Sequence, residues 1–178
     1  SSFITSDYAK EHFTDIYPGK RIELSVLNAQ RSRKGRKMFP QAISDFARST
    51  RLETDKISAL LMTSGMLTST RTMDYEYDQT LLGSYSRPYD VLKATRPIVI
   101  IDEPHKFKRG NEAYKCLIER IDPLCVIRFG ATFPEISEKG KKDYNNLIFN
   151  LGPCEAFNSN LVKGVATQMI MQESLNET

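Results

Sequence analysis

The sequence has 178 residues, of which 40% are hydrophobic and 26% charged, and its formal net charge is +3. This balance suits one globular domain with a core and excludes a low-complexity or strongly polyanionic chain. No apolar stretch approaches membrane-spanning length, so we expect no membrane segment.

The cysteines and histidines are few and scattered. Cys116, Cys125 and Cys154 have no C-x-x-C spacing, and His12 and His105 are the two histidines. This pattern does not suit a disulfide framework or a histidine-rich metal centre. We expect buried, reduced thiols in a cytoplasmic protein.

The chain opens with a predicted helix followed by a strand. Apolar residues recur at helical spacing within Ser1–Tyr17, and Ser6 and Asp7 are candidate N-caps. Pro18 follows as a breaker. Arg21–Leu27 alternates apolar and polar residues, which predicts a strand with one face more buried than the other.

A basic run follows the first strand. Arg31–Lys37 contains five basic residues and no acid: Arg31, Arg33, Lys34, Arg36 and Lys37. One interpretation is a solvated loop. The other is contact with a phosphate backbone, where clustered lysine and arginine release counterions.

A second helix and strand are predicted next. Pro40 suits the first turn of a helix over Gln41–Ser49, whose inward face holds Ile43, Phe46 and Ala47. Lys56–Met62 predicts a second, buried strand.

Hydroxyl side chains cluster after the second predicted strand. Thr63–Thr70 contains five serines and threonines around one glycine, beginning with Thr63 and Ser64. A turn with a helix cap explains them structurally. The functional alternative is a loop that contacts phosphates through hydroxyl and backbone N–H groups. Arg71–Ser86 is predicted to be irregular.

The most informative stretch is an apolar strand that ends in two acids. A helix is predicted over Arg87–Thr95, and Pro97 prevents its continuation. Ile98–Ile101 then predicts a strand buried on both faces of a parallel sheet. Asp102 and Glu103 fall at its carboxyl end, where α/β proteins bind ligands. Adjacent carboxylates commonly share a hard cation that bridges to phosphate oxygens.

A further helix and strand complete the alternation. Asn111 is a candidate cap for a helix to Ile121, and Leu124–Phe129 predicts a strand that delivers Gly130, Ala131 and Thr132 at its carboxyl end. About four strands alternating with helices predict an α/β fold with a mostly parallel sheet. Towards the end, Cys154–Leu161 predicts a short helix and Val162–Met171 a strand.

Four stretches resemble the motors of helicase superfamily 2, the DExx-box proteins. Ile98–His105, ending in Asp-Glu-Pro-His, resembles motif II, and Gly130–Thr132 resembles motif III. Leu60–Thr68 is similar to the segment after the motif Ib strand. Ala156–Gly164 is similar to the exit from the first motor domain in the Res subunits of type III restriction–modification enzymes.

The resemblance implies a RecA-like P-loop NTPase motor domain. Residues 1–150 would be the later part of the first motor domain and 151–178 the connector to the second. Asp102 would hold Mg²⁺ through water, Glu103 would deprotonate the attacking water, and His105 would sense the γ-phosphate of ATP and reach Thr132 through a hydrogen bond. Gly130 replaces the usual serine of motif III.

The resemblance also implies double-stranded DNA and a modification (methyltransferase) subunit as partners. Thr63, Ser64, Arg31, Arg33 and Lys34 would contact the DNA. The sequence contains no G-x-x-x-x-G-K-[ST] loop to cradle phosphates. We therefore expect an excised piece of the ATP-dependent motor of a restriction endonuclease, inactive by itself.

Two other interpretations remain open at this stage. One is a metal-dependent hydrolase that uses Asp102 and Glu103 without ATP. The other is a non-catalytic DNA-binding or scaffolding module with a degenerate motor fold, whose binding surface comprises Arg31–Lys37 and Thr63–Thr70.

Overall fold

The computed structural model describes residues 4–29, 37–52, 55–136 and 142–161. The chain divides into two compact units, Ser1–Lys142 and Asp143–Thr178. The basic residues Arg31, Arg33, Lys34 and Arg36 and the predicted strand Val162–Met171 lie outside the described residues.

The first unit begins with the predicted helix. Helix α1 spans Asp7–Ile16, and its N-cap is Ser6, whose hydroxyl accepts the N–H of Ala9 at 3.2 Å. The cap satisfies one backbone donor that the first helical turn leaves without an intrahelical partner. The chain turns at Gly19, whose φ of +75° favours glycine, and enters strand β1.

Two parallel strands and one helix form the first layer. Strand β1 (Arg21–Val26) pairs in parallel with β2 (Lys56–Leu61), from Arg21 opposite Lys56 to Val26 opposite Leu61. Helix α2 (Gln41–Leu52) lies between the two strands in the sequence and packs on both of them. Its predicted inward face is confirmed, because Ile43, Phe46 and Ala47 are all buried.

The prediction that β2 is a buried strand is wrong. Ile57 and Leu61 are 42% and 44% exposed, whereas Leu60 packs against the core. Helix α2 packs on the pair, and helix α1 contacts β1. The strand is therefore half-buried.

The segment after β2 contains more helix than predicted. Two single-turn helices, α3 (Ser64–Leu67) and α4 (Thr70–Met73), precede an irregular stretch with a bridge between Leu81 and Tyr85. Helix α5 (Pro88–Thr95) then follows, with proline at its first position as expected for a helix start.

The second strand pair carries the two predicted motifs. Strand β3 (Ile98–Asp102) is followed by a 3₁₀ turn (Pro104–Lys106) and helix α6 (Glu112–Lys115). Helix α6 continues into a π-helical turn (Cys116–Ile121), after which β4 (Cys125–Phe129) pairs in parallel with β3.

One core joins these helices and strands. Helix α5 contributes Tyr89, Val91 and Leu92, and the π-helical turn contributes Leu117 and Ile121. These side chains pack with the inward face of α2 and with β3 in a single buried cluster. The α/β class is confirmed, but the strands among the described residues form two separate two-stranded sheets in place of the single mostly parallel sheet predicted.

The prediction that β3 is buried on both faces is also wrong. Ile101 is 5% exposed, whereas Ile98 and Ile100 on the opposite face are 59% and 66% exposed. The core lies against one face, and nothing among the described residues of the first unit covers the other. The cysteines also depart from the expected burial, because Cys125 and Cys154 are exposed and Cys116 is half-buried.

The second unit contains the predicted short helix. Helix α7 spans Pro153–Asn158, and the carboxylate of Glu155 accepts the N–H of Gly152 at 3.1 Å, which caps its first turn. Across the part of the chain that the structure describes, no helix is long and apolar enough to cross a membrane.

Candidate functional site

The two loops singled out from the sequence emerge side by side. Asp102, the last residue of β3, pairs with Phe129, the last residue of β4. Because the strands are parallel, the segments that follow them leave the same edge of the sheet. Glu103–His105 therefore lies beside Gly130–Thr132.

A backbone hydrogen bond fastens the two loops at their start. The N–H of Glu103 donates to the carbonyl of Phe129 at 3.0 Å and also to Oδ1 of Asp102 at 3.0 Å. This shared donor orients the Asp102 side chain and fixes the chain just where the acidic pair begins. Both acidic residues are exposed and accessible to a ligand.

Glu103 has an unusual backbone conformation. Its φ of 55° and ψ of 63° place it in the left-handed region, which costs a non-glycine residue about 1–2 kcal/mol. Residues held in this way are concentrated at functional sites, where the surrounding structure enforces them. The surrounding structure therefore holds the acidic turn in a defined conformation despite the strain at Glu103.

Pro104 and Gly130 form the next contact between the loops. Pro104 is fully buried and begins the 3₁₀ turn that carries His105. A side chain at position 130 would occupy the space that the Pro104 ring fills. Position 130, where motif III usually has a serine, is therefore a point at which the two loops approach each other closely.

His105 and Thr132 complete the row of contacts. Nδ1 of His105 lies 3.5 Å from Oγ1 of Thr132, and both side chains are exposed. Either group can donate, depending on the histidine tautomer. The distance is at the outer limit of a hydrogen bond.

The residues that follow Thr132 also make contacts. The guanidinium of Arg128 lies over the ring of Phe133, 5.7 Å from its centroid, and Pro134 is buried. Cation–π contact of this kind is weak when exposed but restricts the ring. Gly130–Thr132 is therefore fixed at both ends.

The donor set at the acidic pair suits one kind of metal. Within the described ranges there is no group of three or more histidine, cysteine, aspartate or glutamate side chains that could hold an ion. A dedicated protein cage is thus not formed there. Mg²⁺ binds commonly through one or two carboxylates, with water and phosphate oxygens completing its shell, and Asp102 with Glu103 fits that mode.

Thr63 and Ser64 lie at the end of β2, in the other sheet. Thr63 is the N-cap of α3, and its Oγ1 accepts the N–H of Met66 at 3.2 Å. Ser64 is exposed, and its carbonyl accepts the hydroxyl of Thr68 at 3.2 Å. The structural interpretation of this hydroxyl cluster, a turn with a helix cap, therefore describes Thr63.

Lys37 is the one residue of the basic run that the structure describes. Its ammonium group lies 4.3 Å from the centroid of the Tyr75 ring and 3.5 Å from the carbonyl oxygen of Arg71. The run therefore ends against the segment that follows α4.

Comparison with known proteins identifies relatives over nearly the whole chain. The StyLTI Res subunit of Salmonella typhimurium strain LT2, a type III restriction–modification protein, is 44% identical over 174 residues, which cover 92% of the chain. The EcoP15I Res subunit of Escherichia coli and the EcoPI Res subunit of Escherichia phage P1 are each 36% identical over 167 residues, again covering 92% of the chain. The chain is related to the Res subunits of type III restriction–modification enzymes.

The resemblance to the Res subunits of type III restriction–modification enzymes is thereby confirmed. No protein-family model matches the chain. The chain spans 18% of the StyLTI Res subunit and 16% of each of the other two. The similarity thus relates the chain to one segment of a much longer protein.

Sequence reasoning missed a polar cluster around Tyr89 in the first unit. The hydroxyl of Tyr89 donates to the carbonyl of Leu67 at 2.5 Å, and the Arg120 guanidinium lies over the Tyr89 ring at 4.6 Å while pairing with Asp74 at 2.5 Å. Burial raises the pKa of Tyr89, and a hydrogen bond with Cys116 raises it further. The sequence predicts a helix over Arg87–Thr95, but nothing in that pattern indicates the partners of Tyr89, which come from distant parts of the chain.

The contact between Pro104 and Gly130 was also missed. From the sequence, Gly130 indicates only the loss of a motif III hydroxyl, and nothing relates it to Pro104. The two belong to one contact across the sheet edge. A glycine where a hydroxyl residue is usual, paired with a proline in the facing loop, is the signal that could have found it.

Proposed function

We propose that this chain is a segment of the ATP-driven DNA translocase motor of a type III restriction endonuclease Res subunit. It would form the later part of a RecA-like helicase domain and act in the cytoplasm on double-stranded DNA, together with a modification subunit. The observation that carries the proposal is the contact between the two strand-end loops, in particular His105 beside Thr132. The names of the three relatives support it.

The acidic pair has separate tasks in this proposal. Mg²⁺ and ATP, when bound, would supply the reacting phosphoryl group with its charge neutralised. Asp102, oriented by the N–H of Glu103, would hold the ion through water. Glu103, at the first position beyond the strand, would orient the attacking water and accept its proton.

The second loop would transmit changes at the phosphate site to neighbouring parts of the domain. His105 would contact the terminal phosphate, and its ring would transmit that contact to Thr132 through the hydrogen bond between them. Gly130 and Ala131 precede Thr132 and begin this loop at the end of β4. A change at the phosphate would then shift the loop relative to β3.

The DNA-contacting surface would lie on the first strand pair. Ser64 and Thr63 would meet phosphate oxygens at the end of β2, and Arg31, Arg33 and Lys34 would add charge. Lys37, packed against the Tyr75 ring, anchors the end of that basic run beside the segment after α4. Phosphate contacts of this kind position a protein on DNA without reading its sequence.

ATP turnover tests the proposal directly. A full-length Res subunit carrying this segment, with its modification subunit, Mg²⁺ and duplex DNA, should hydrolyse ATP faster than without DNA. Asp102→Asn and Glu103→Gln should each lower that rate by about 10²-fold or more, since they remove positioning and charge neutralisation from phosphoryl transfer. Glu112→Gln, an exposed glutamate at the start of α6, is the matched control and should leave the rate unchanged.

Two outcomes would favour the other interpretations. A wild-type complex that binds DNA but hydrolyses no ATP would favour a non-catalytic DNA-binding or scaffolding module. Magnesium-dependent hydrolysis of another substrate without ATP would favour a metal-dependent hydrolase. The described residues offer that second alternative no cluster of three ligands.

A further inference from the structure

The closest approach between the two loops is at Gly130. A Cβ atom placed on Gly130 would lie 2.4 Å from Cδ of Pro104 and 3.1 Å from Cγ, both in the proline ring. It would lie 3.6 Å from the Pro104 nitrogen, which is an ordinary van der Waals distance. The ring itself, and no backbone atom, therefore excludes a side chain at position 130.

The Pro104 ring has little freedom to move aside. Pro104 is fully buried, and its φ is fixed by the ring. It lies between Glu103, held in the left-handed conformation, and the turn that carries His105. A displacement of the ring therefore displaces both of its neighbours.

We infer that Gly130 is a positioning residue whose missing side chain lets Pro104 hold Glu103 and His105 in place. This rests on the proposed function for the role of Glu103, while the contact itself stands on the geometry. Gly130 touches no reacting group and acts through Pro104. Its place in the second loop makes the position of the acidic turn depend on β4.

The size of the effect follows from the distances. Relieving the 2.4 Å contact to an ordinary separation of about 3.4 Å requires a movement of roughly 1 Å. A misplacement of about 1 Å in a catalytic arrangement can cost about 10²-fold in rate. Gly130→Ala, which adds one methyl group, should therefore lower turnover about 10- to 100-fold with little change in the KM for ATP.

A second substitution separates this effect from general damage. Pro104→Ala removes Cδ and Cγ, the two atoms that meet the new methyl group, and keeps the nitrogen at its ordinary distance. The double variant Gly130→Ala with Pro104→Ala should thus recover at least part of what Gly130→Ala loses. Gly110→Ala is the control, because a Cβ on Gly110 meets nothing within 4 Å.

Amide hydrogen exchange at Glu103 is a readout that does not depend on activity. The Glu103 N–H donates to Phe129 and to Asp102, so exchange there is slow while the turn is seated. In this chain, Gly130→Ala should accelerate exchange of the Glu103 amide about tenfold or more through local opening, and the double variant should slow it again. Gly110→Ala should match the wild type.

The combination of readouts decides between the two ideas. Unchanged Glu103 exchange in Gly130→Ala would overturn the positioning role. Loss of turnover by Gly130→Ala in the full-length Res subunit, with recovery in the double variant, would support it. If no variant turns over ATP, wild type included, the motor proposal fails while the exchange pattern still decides whether Gly130 seats the turn.

Discussion

His105 and Thr132 lie 27 positions apart in the sequence, yet Nδ1 of the first is 3.5 Å from Oγ1 of the second. The pairing of β3 with β4 creates this proximity by placing the ends of both strands at one edge. Catalytic hydrogen bonds are often long before substrate binds and tighten afterwards. We therefore treat the pair as a link that strengthens when the site is filled.

Removing the hydroxyl of Thr132 should uncouple DNA from ATP turnover. In the full-length Res subunit, we expect Thr132→Val to reduce the DNA-stimulated rate about tenfold, corresponding to about 1.4 kcal/mol for one lost hydrogen bond. The rate without DNA should change less. Thr132→Ser keeps the hydroxyl and should retain stimulation; equal loss in both variants would count against the link.

Replacing Glu103 by glycine should stabilise the chain while abolishing turnover. Glu103 has a φ of 55°, and glycine at that position should raise the free energy of unfolding by about 0.5–1 kcal/mol, because it relieves the left-handed strain. Glu103→Gln keeps the side-chain volume and the strain, so it should leave stability unchanged. Chemical denaturation of both variants measures the difference.

A matched control for that experiment exists away from the site. Arg96, which ends helix α5, has a φ of 46°, and Arg96→Gly should give a gain of about 0.5–1 kcal/mol for the same reason. It should leave ATP turnover intact. If Glu103→Gly destabilises the chain while Arg96→Gly stabilises it, the left-handed turn at Glu103 is not a source of strain.

The exposed face of the second strand pair should promote self-association of the isolated chain. Ile100 and Phe129 are 66% and 59% exposed on neighbouring parallel strands, with Ile98 beside them. A contiguous apolar face of this kind favours association. Sedimentation velocity should show weaker association for Ile98→Thr with Ile100→Thr, substitutions that keep β-branched residues in the strand.

The control for self-association lies in the second unit. Ile148 is 90% exposed and does not belong to that face. Ile148→Thr combined with Leu147→Thr, at side chains that are 90% and 50% exposed, removes a similar amount of apolar surface, and we expect this double variant to leave association nearly unchanged. An equal reduction by both variants would show that exposed apolar surface in general, and not the sheet face, drives association.

Tyr89 should stabilise the fold in a pH-dependent way. Its buried hydroxyl donates to the Leu67 carbonyl at 2.5 Å, so Tyr89→Phe should cost about 1–2 kcal/mol by leaving that carbonyl without its donor. The Arg120 guanidinium can still pack on the phenyl ring. Tyr8→Phe, at a tyrosine that is 66% exposed, is the control and should cost far less.

The direction of the pH dependence follows from the pKa of Tyr89. Burial raises that pKa above its ordinary value of 10.0. The stabilisation is therefore fully present below pH 10 and declines as the pH rises above it, because ionisation is easier in the unfolded chain. The wild type should lose stability between neutral pH and pH 11 more steeply than Tyr89→Phe; parallel curves would refute the assignment.

Local signals were sufficient to predict most of the helices and strands. The cap at Ser6, the inward face of α2 and the proline at the start of α5 are each encoded in a few adjacent residues, and the structure shows all three. The same is true of β3 and β4. The apolar run of β3 ends just before Asp102, and that of β4 ends just before Gly130. Strand burial was harder, because it depends on which elements cover a sheet face.

The contacts within the site could not be predicted from the sequence. The left-handed turn at Glu103 and the seating of Pro104 on Gly130 depend on the register between β3 and β4, which fixes how closely the two loops approach. The sequence of either loop alone does not determine that register. The contact between His105 and Thr132 was predicted only because the motifs resemble a known pair.

The measurement that tests the central claim most directly is DNA-stimulated ATP turnover by the full-length Res subunit, wild type against Glu103→Gln. We predict a clear DNA-stimulated rate in the wild type and a loss of about 10²-fold or more in the variant, because the role proposed for Glu103 is to position and deprotonate the attacking water. A Glu103→Gln subunit that turns over ATP within about twofold of the wild type would contradict the account.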